Sequence, residues 1–332
     1  PAPTGGGRGD KHNPPHKPRL LTAQDLDEDD REILDMAACC GFEFDPLLVA
    51  EALGEKRMPF LKRLARLERR YGLVRSAGRR YVFDHHQVQE ALYEGMSDLL
   101  REAYHAALAE ALETRVGGRE QEPAELEGAV CAALCEHFFR GARGDRALRY
   151  LDAALDYLEK SYLSAETVGL ARRALESPGL VDGERRVDLL LRLGLHLALR
   201  GRPDEERLAL DEAVRLAESF AKESGGPGPS ARALRALGWH HYQAARYAEA
   251  LEVLGSARER AMEAGDEEFE VLAAANMGSV LYALGRYDEA RAHCERHLVL
   301  TREIGDRFGE SLALETLGCV SVDCGNFEEA RT

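Results

Sequence analysis

The chain has 332 residues, with 44 Lys and Arg against 59 Asp and Glu and a formal net charge of −15. That balance argues against wholesale binding to nucleic acid or to an anionic membrane, and no run of about eighteen apolar residues offers a membrane span. Leu, Ala, Glu and Arg dominate, and the length suits two domains or one long array, so helix is the expected class.

Residues 1–19 are rich in Pro, Gly, His and Lys and contain no apolar segment that could act as a signal peptide, so they read as a flexible linker. Gly5-Gly6-Gly7-Arg8-Gly9 lacks the lysine and flanking strand that a phosphate loop requires. Residues 20–114 read as a domain of their own. Asp25, Asp27, Glu28, Asp29, Asp30 and Glu32 open an amphipathic helix ending near Cys40; with no glycine at the sixth loop position, the run suits a helix start rather than a calcium loop. A second helix spans Asp45 to Leu53 with Pro46 in its first turn, and a third spans Met58 to Tyr71. The apolar period then drops to two, and Leu73 to Arg75 and Arg80 to Phe83 flank Ser76-Ala77-Gly78 as a hairpin. Helices at Val88 to Met96 and Leu99 to Thr114 complete the domain.

Between Glu55 and Phe83 there are ten Lys or Arg and two Glu, a local excess of eight positive charges. Lys62, Arg63, Arg66, Arg70, Arg79 and Arg80 form the expected basic face. Such a face suits either a nucleic-acid groove or an acidic protein surface, such as a neighbouring domain or the strongly acidic repeats.

Residues 127–223 carry helical pairs with a weaker pattern: Val130 to Phe139 with Arg146 to Leu158, then Ala165 to Leu175, Asp188 to Arg200 and Glu205 to Phe220. Ser224 to Ser230, Ser-Gly-Gly-Pro-Gly-Pro-Ser, reads as a flexible break. From residue 230 to 332 the chain becomes periodic. Gly238, Gly278 and Gly318 lie 40 residues apart, and Tyr247, Tyr287 and Phe327 and then Ala250, Ala290 and Ala330 follow them at constant offsets. Gly194 lies 44 residues before Gly238, where the spacing has slipped. Each period reads as two helices around a short turn, the glycine of the first facing the alanine of the second so that the backbones approach closely. Such a pair buries its apolar face only by stacking on its neighbours. The last unit stops at Thr332 just after its second helix has opened, and there is no initiating Met, so both ends are expected to be cut from a longer protein.

Leu234, Leu237-Gly238, Tyr242, Tyr247, Ala250 and Ala257 resemble the tetratricopeptide repeat (TPR), in a longer-helix variety with turns at Gly265-Asp266 and Gly305-Asp306. Three helices followed by a hairpin is the order of a winged helix. The string Tyr81-Val82-Phe83-Asp84-His85-His86-Gln87-Val88-Gln89-Glu90-Ala91-Leu92-Tyr93 resembles the end of that module in STAND-type bacterial signalling ATPases. The resemblance implies an all-α fold, a right-handed TPR-like helical-hairpin solenoid preceded by a small winged-helix domain with one β-hairpin. It also implies a cytoplasmic arm-and-sensor role, the winged helix joining the repeats to a nucleotide-binding domain that would hold ATP and Mg outside these residues. Kinases, adenylate cyclases and LuxR-type regulators are the outputs to which such regions are fused. In a TPR the first helix of each unit lines the concave surface, which selects Arg232, Arg235, Trp239, Tyr242, Gln243, Asn276, Ser279, Tyr282 and Glu315 as groove residues for a protein or peptide.

No catalytic motif and no cofactor is expected within the chain: phosphate loop, G-x-S-x-G elbow and kinase signatures are all missing from the sequence. Seven scattered cysteines suit a reducing compartment. Cys131, Cys135 and His137 have no second ligand pair at zinc spacing, and His293 and His297 lack the Glu of an H-E-x-x-H pattern, so core packing is the expected role of each. Two other functions stay open: a transcriptional regulator touching DNA through Lys62, Arg66 and Arg70, and a free-standing TPR scaffold.

Overall fold

The computed structural model describes residues 26–224 and 227–326. The expected linker at 1–19, residues 225–226 of the expected flexible break, and the second helix expected at Phe327 to Ala330 lie outside the described residues. Contacts divide the chain into two compact units, Pro1–Leu112 and Glu113–Thr332.

The first unit begins with α1 (Glu28–Cys40), whose N-terminus is capped by the Asp27 carboxylate accepting from the Asp30 N–H at 2.7 Å. A two-residue strand β1 (Glu43–Phe44) leads to α2 (Pro46–Ala52), capped by Asp45 with Pro46 in the first turn, where its missing N–H costs nothing. Next comes α3 (Arg57–Tyr71), closed by Gly72 in the left-handed region. Strands β2 (Val74–Ala77) and β3 (Arg80–Phe83) are joined through Gly78 and Arg79, Gly78 having φ 68°. Both β1 and β2 pair antiparallel with β3, in the order β1-β3-β2. The sheet therefore has three strands where the sequence predicts one hairpin, because two residues are too few to show a period of two. Helices α4 (His86–Glu94) and α5 (Asp98–Arg115) follow. Ile33, Leu34, Phe44, Phe60, Leu64, Leu67, Val74 and Phe83 share one buried core, which fixes α3 and the sheet to α1.

After a short 3-10 turn at Pro123–Glu125, the second unit is helix throughout its described residues: α6 (Gly128–Arg140), α7 (Gly144–Lys160), α8 (Ser164–Glu176), α9 (Gly183–Leu199), α10 (Pro203–Ser224), α11 (Gly228–Gln243), α12 (Tyr247–Ala264), α13 (Glu267–Ala283), α14 (Tyr287–Ile304) and α15 (Arg307–Asp323). Each helix packs on its successor, the contact order of a helical-hairpin solenoid. One turn type closes the hairpins. Ala142, Tyr162, Gly201, Ala245, Gly285 and Gly325 all take positive φ, and the next residue in each case donates its N–H to the carbonyl five positions back, at 2.8–3.0 Å. This Schellman geometry satisfies carbonyls that the helix end would otherwise leave bare. Tyr162 follows Ala142 by 20 residues, half the later period, so α7 is the second helix of one hairpin and the first helix of the next.

Three of the repeat glycines are held by a close contact, with one change from expectation, while Gly318 has nothing within 4 Å among the described residues. A Cβ on Gly238 would lie 2.6 Å from Leu254 Cγ, one on Gly278 2.8 Å from Cys294 Sγ, and one on Gly194 3.0 Å from Leu210 Cδ2. The partner stands sixteen residues after the glycine each time and is a leucine or cysteine, not the alanine four positions earlier. Because Gly194 keeps the same partner spacing, α9–α10 is a regular hairpin, and the four-residue slip lies between α10 and the repeat glycine of α11. Across units, Glu270 of α13 accepts from Arg258 of α12 at 3.1 Å and Arg296 of α14 at 3.0 Å, tying three helices together.

Gly238→Ala is expected to destabilise the second unit by roughly 1–3 kcal/mol, although alanine is the better helix former, since Leu254 has to move. Ala245→Gly is expected to stabilise it by about 0.5–1 kcal/mol by relieving a left-handed alanine. Urea unfolding of the two variants against the parent chain checks both signs.

Candidate partner-binding groove

First helices of consecutive hairpins touch one another, α9 with α11, α11 with α13 and α13 with α15, whereas α10, α12 and α14 make no comparable contact among themselves. One wall of the solenoid is thus a near-continuous surface of first helices. The nine residues expected on it behave differently. Trp239 and Tyr242 are half-buried with ring centroids 4.8 Å apart, and Tyr242 lies 5.9 Å from Tyr247. Gln243 and Glu315 are exposed and Ser279 half-buried. Tyr282 donates its hydroxyl to Asp323 at 2.9 Å, which pushes its pKa up to about 12. Asn276 is 8 % exposed, its Nδ2 making no hydrogen bond, so it belongs to the helix interface rather than to open surface.

The two arginines differ most. Arg232 is held by Glu184 at 2.7 Å and Asp188 at 2.8 Å, both on α9. Burial pushes the Asp188 carboxyl up, while Arg232 pulls it back down. Arg235 has no carboxylate partner among the described residues; its guanidinium lies 5.7 Å from the Phe269 ring and its Nε is buried without a hydrogen bond. Burial alone lowers its pKa from the ordinary arginine value.

Sequence reasoning missed two groups on this wall. Shifting Trp239 and Gln243 back by the 44 residues that separate the glycines gives Leu195 and Leu199, which are 59 % and 68 % exposed. The slip in spacing hid them, although Gly194 was the available signal. The second group is a ladder of ion pairs from α7 to α9, in which Arg185 meets Asp152 at 3.0 Å and Arg192 meets Asp156 at 2.6 Å and Glu159 at 2.7 Å. Asp152, Arg185 and Arg192 of this ladder, with Leu151, Leu155 and Leu189, line an open cleft of about 600 Å³.

The basic face of the first unit is partly spent inside that unit. Asp30, fully buried, accepts from Arg66 at 2.9 Å and lies 3.5 Å from Arg63, which also bonds Glu55 at 2.7 Å. Arg80 pairs with Glu43 at 2.5 Å. Lys62, Arg70 and Arg79 are exposed and carry no ion pair among the described residues. The displayed charge is therefore patchier than the sequence count.

Other candidate ligands are packed away. Cys131 Sγ donates to the Pro123 carbonyl at 3.5 Å and Cys135 Sγ to the Ala147 carbonyl at 3.3 Å, and burial lowers His137 to about 4. Among the described residues no three His, Cys, Asp or Glu side chains are grouped to hold a metal ion. No described helix is long and apolar enough to cross a membrane.

Residues 270–332 match the family model of the tetratricopeptide repeat. No curated protein matches the chain significantly. Among the solved structures similar to it are three chains at low identity. BtubC (BKLC) from P. vanneervenii is 18 % identical over 67 % of this chain and 87 % of its own, with a TM-score of 0.47. A signal transduction ATPase with numerous domains and a tetratricopeptide repeat sensor, from Pyrococcus horikoshii, is 15 % identical over 93 % of this chain and 62 % of its own, with a TM-score of 0.42. The apo form of RapI is 15 % identical over 75 % of this chain and 64 % of its own, with a TM-score of 0.47.

The neutral His137 gives a pH prediction. Its folded pKa lies below the ordinary value of 6.5, so the unfolded chain binds its proton first and stability is lost as pH falls from 6.5 towards about 4. His137→Asn is expected to flatten that loss by up to about 1.4 kcal/mol per pH unit, read from urea unfolding at successive pH values.

Proposed function

We propose that the wall of first helices binds a protein or peptide partner, and that the chain is the regulatory sensor region of a STAND-type signalling ATPase. The observation that carries the binding reading is the grouping of Trp239 and Tyr242, partly open to solvent, with Arg235, a cation that has no carboxylate partner in the described chain. Aromatic and arginine side chains of this kind are those on which binding energy concentrates. The repeat fold supports an interaction role, and no enzymatic role is assigned to these residues.

The first unit is read as a winged-helix arm. Support comes from its order of three helices and a small antiparallel sheet, and from the Tyr81 to Tyr93 string, which runs from β3 into α4. Arg63, Arg66 and Arg80 serve internal ion pairs, which favours an arm that contacts protein over one that reads DNA. The mechanism is conformational: a partner on the first-helix wall shifts the packing of the hairpins, and the arm passes that shift to a nucleotide-binding domain outside this sequence.

The test is the pair Trp239→Ala with Arg235→Ala in the parent protein. Partner binding is expected to weaken and the partner-dependent change in ATP hydrolysis to shrink by about 5-fold or more. Unchanged partner binding and unchanged hydrolysis would refute the reading.

A further inference from the structure

Consecutive hairpins meet at seams that repeat position by position, because the left-handed turn and the repeat glycine number every unit alike. Five residues after the turn, the second helix carries Glu206 on α10, Ala250 on α12 and Ala290 on α14; two residues after the glycine, the following first helix carries His240, Val280 and Val320. Ala250 shares a buried cluster with Val280, and Ala290 with Val320, so the α12–α13 and α14–α15 seams are apolar at this depth. The α8–α9 seam has the uncharged Thr167 at the first position and His196, bonded to Ser164 at 3.1 Å, at the second. At the α10–α11 seam the same place holds a buried carboxylate against an imidazole, Glu206 Oε2 lying 3.1 Å from His240 Nδ1. Arg246 can only donate, so its 3.0 Å contact makes His240 Nε2 an acceptor and directs the Nδ1–H to Glu206.

The same seam lacks a tie that its neighbours have. Eight residues before the glycine stand Arg186 on α9, Ser230 on α11, Glu270 on α13 and Glu310 on α15. Arg186 donates to the Leu175 carbonyl of α8 at 2.9 Å, Glu270 accepts from Arg258 of α12 at 3.1 Å, and Glu310 accepts from Arg302 of α14 at 2.8 Å. Each reaches back across its seam. Ser230 is fully buried, and its hydroxyl has no hydrogen bond among the described residues. Helix α10 is also longer than its counterparts, 22 residues against 18 in α12 and α14, although all three start two residues after the turn.

The two kinds of seam part at different cost. Separating Ala250 from Val280 exposes hydrocarbon to water. Separating Glu206 from His240 returns water to a carboxylate, an imidazole and a guanidinium whose dehydration had offset much of their attraction. From this contrast we infer that the array opens at the α10–α11 seam, the hairpins up to α10 and those from α11 onward moving as two blocks about it. The seam is a conformational device within the second unit, whatever lies on the first-helix wall.

Maleimide pulse labelling of the whole 332-residue chain, read cysteine by cysteine in a digest by mass spectrometry, tests it. Ser230→Cys puts a thiol in this seam and Ala250→Cys one in the α12–α13 seam, both at fully buried positions, while the buried native Cys294 reports global unfolding in the same digest. The thiol of Ser230→Cys should label at least about 10-fold faster than that of Ala250→Cys. Adding Glu206→Ala with His240→Val, which gives the seam its neighbours' side chains, should slow that labelling at least about 5-fold. If the added pair exposes Cys294, Glu206→Gln takes its place, keeping an acceptor for the imidazole without the charge, and the same slowing is expected. Equal labelling at the two seams would overturn the inference. Fast labelling that these changes do not slow would place the motion at the end of α11 and overturn it as well.

Discussion

Close approach of two helices at a residue without a side chain is the contact on which the second unit depends. Gly194, Gly238 and Gly278 each admit a side chain sixteen residues later, from Leu210, Leu254 and Cys294, so close that a Cβ would be crowded at Gly194 and would collide at Gly238 and Gly278. That contact fixes the rotation of the first helix against the second. Once the rotation is fixed, the residues just after the glycine turn away from the partner helix, and Leu195, Trp239 and Ser279 share one wall. The Schellman turns at the hairpin ends hold the same register from outside the helices, which explains why three of them tolerate Ala142, Tyr162 and Ala245 in the left-handed region.

Much of this was legible because a 40-residue period repeats both the glycine and its aromatic and alanine companions. What the period could not show is instructive. It broke at Gly194 because four extra residues separate it from the next glycine, and so the leucines of α9 stayed out of the expected groove. It also failed at α7, where two hairpins share one helix and the spacing halves. Strand β1 was too short to alternate, and the glycine's neighbour was misjudged because an alanine was the obvious small residue while the real contact is a leucine or cysteine one turn on. Charge counting was the least informative signal. A local excess of positive residues cannot reveal that Asp30 is buried beneath Arg66 and Arg63, because the pair is separated by more than thirty residues in sequence.

Ion pairs divide the arginines of the chain into two kinds. Those of α9 and Arg232 are engaged by carboxylates of neighbouring hairpins, and at partly exposed sites such pairs fix geometry more than they stabilise. Arg235 is of the other kind, resting over Phe269 with no carboxylate partner among the described residues, a costly arrangement for a half-buried cation. On the proposed reading, a cation without a carboxylate partner among the described residues, one turn before the sole tryptophan, is what distinguishes this wall from a packing interface.

That sole tryptophan provides the most direct test of the central claim that the first-helix wall is where a partner lies. Trp239 emission should be followed while the intact chain is titrated with a peptide whose binding is measured independently by calorimetry. A saturable blue shift with the same midpoint as the calorimetric isotherm is the predicted result. Emission that stays constant while the peptide binds to saturation would contradict the account and place the partner elsewhere.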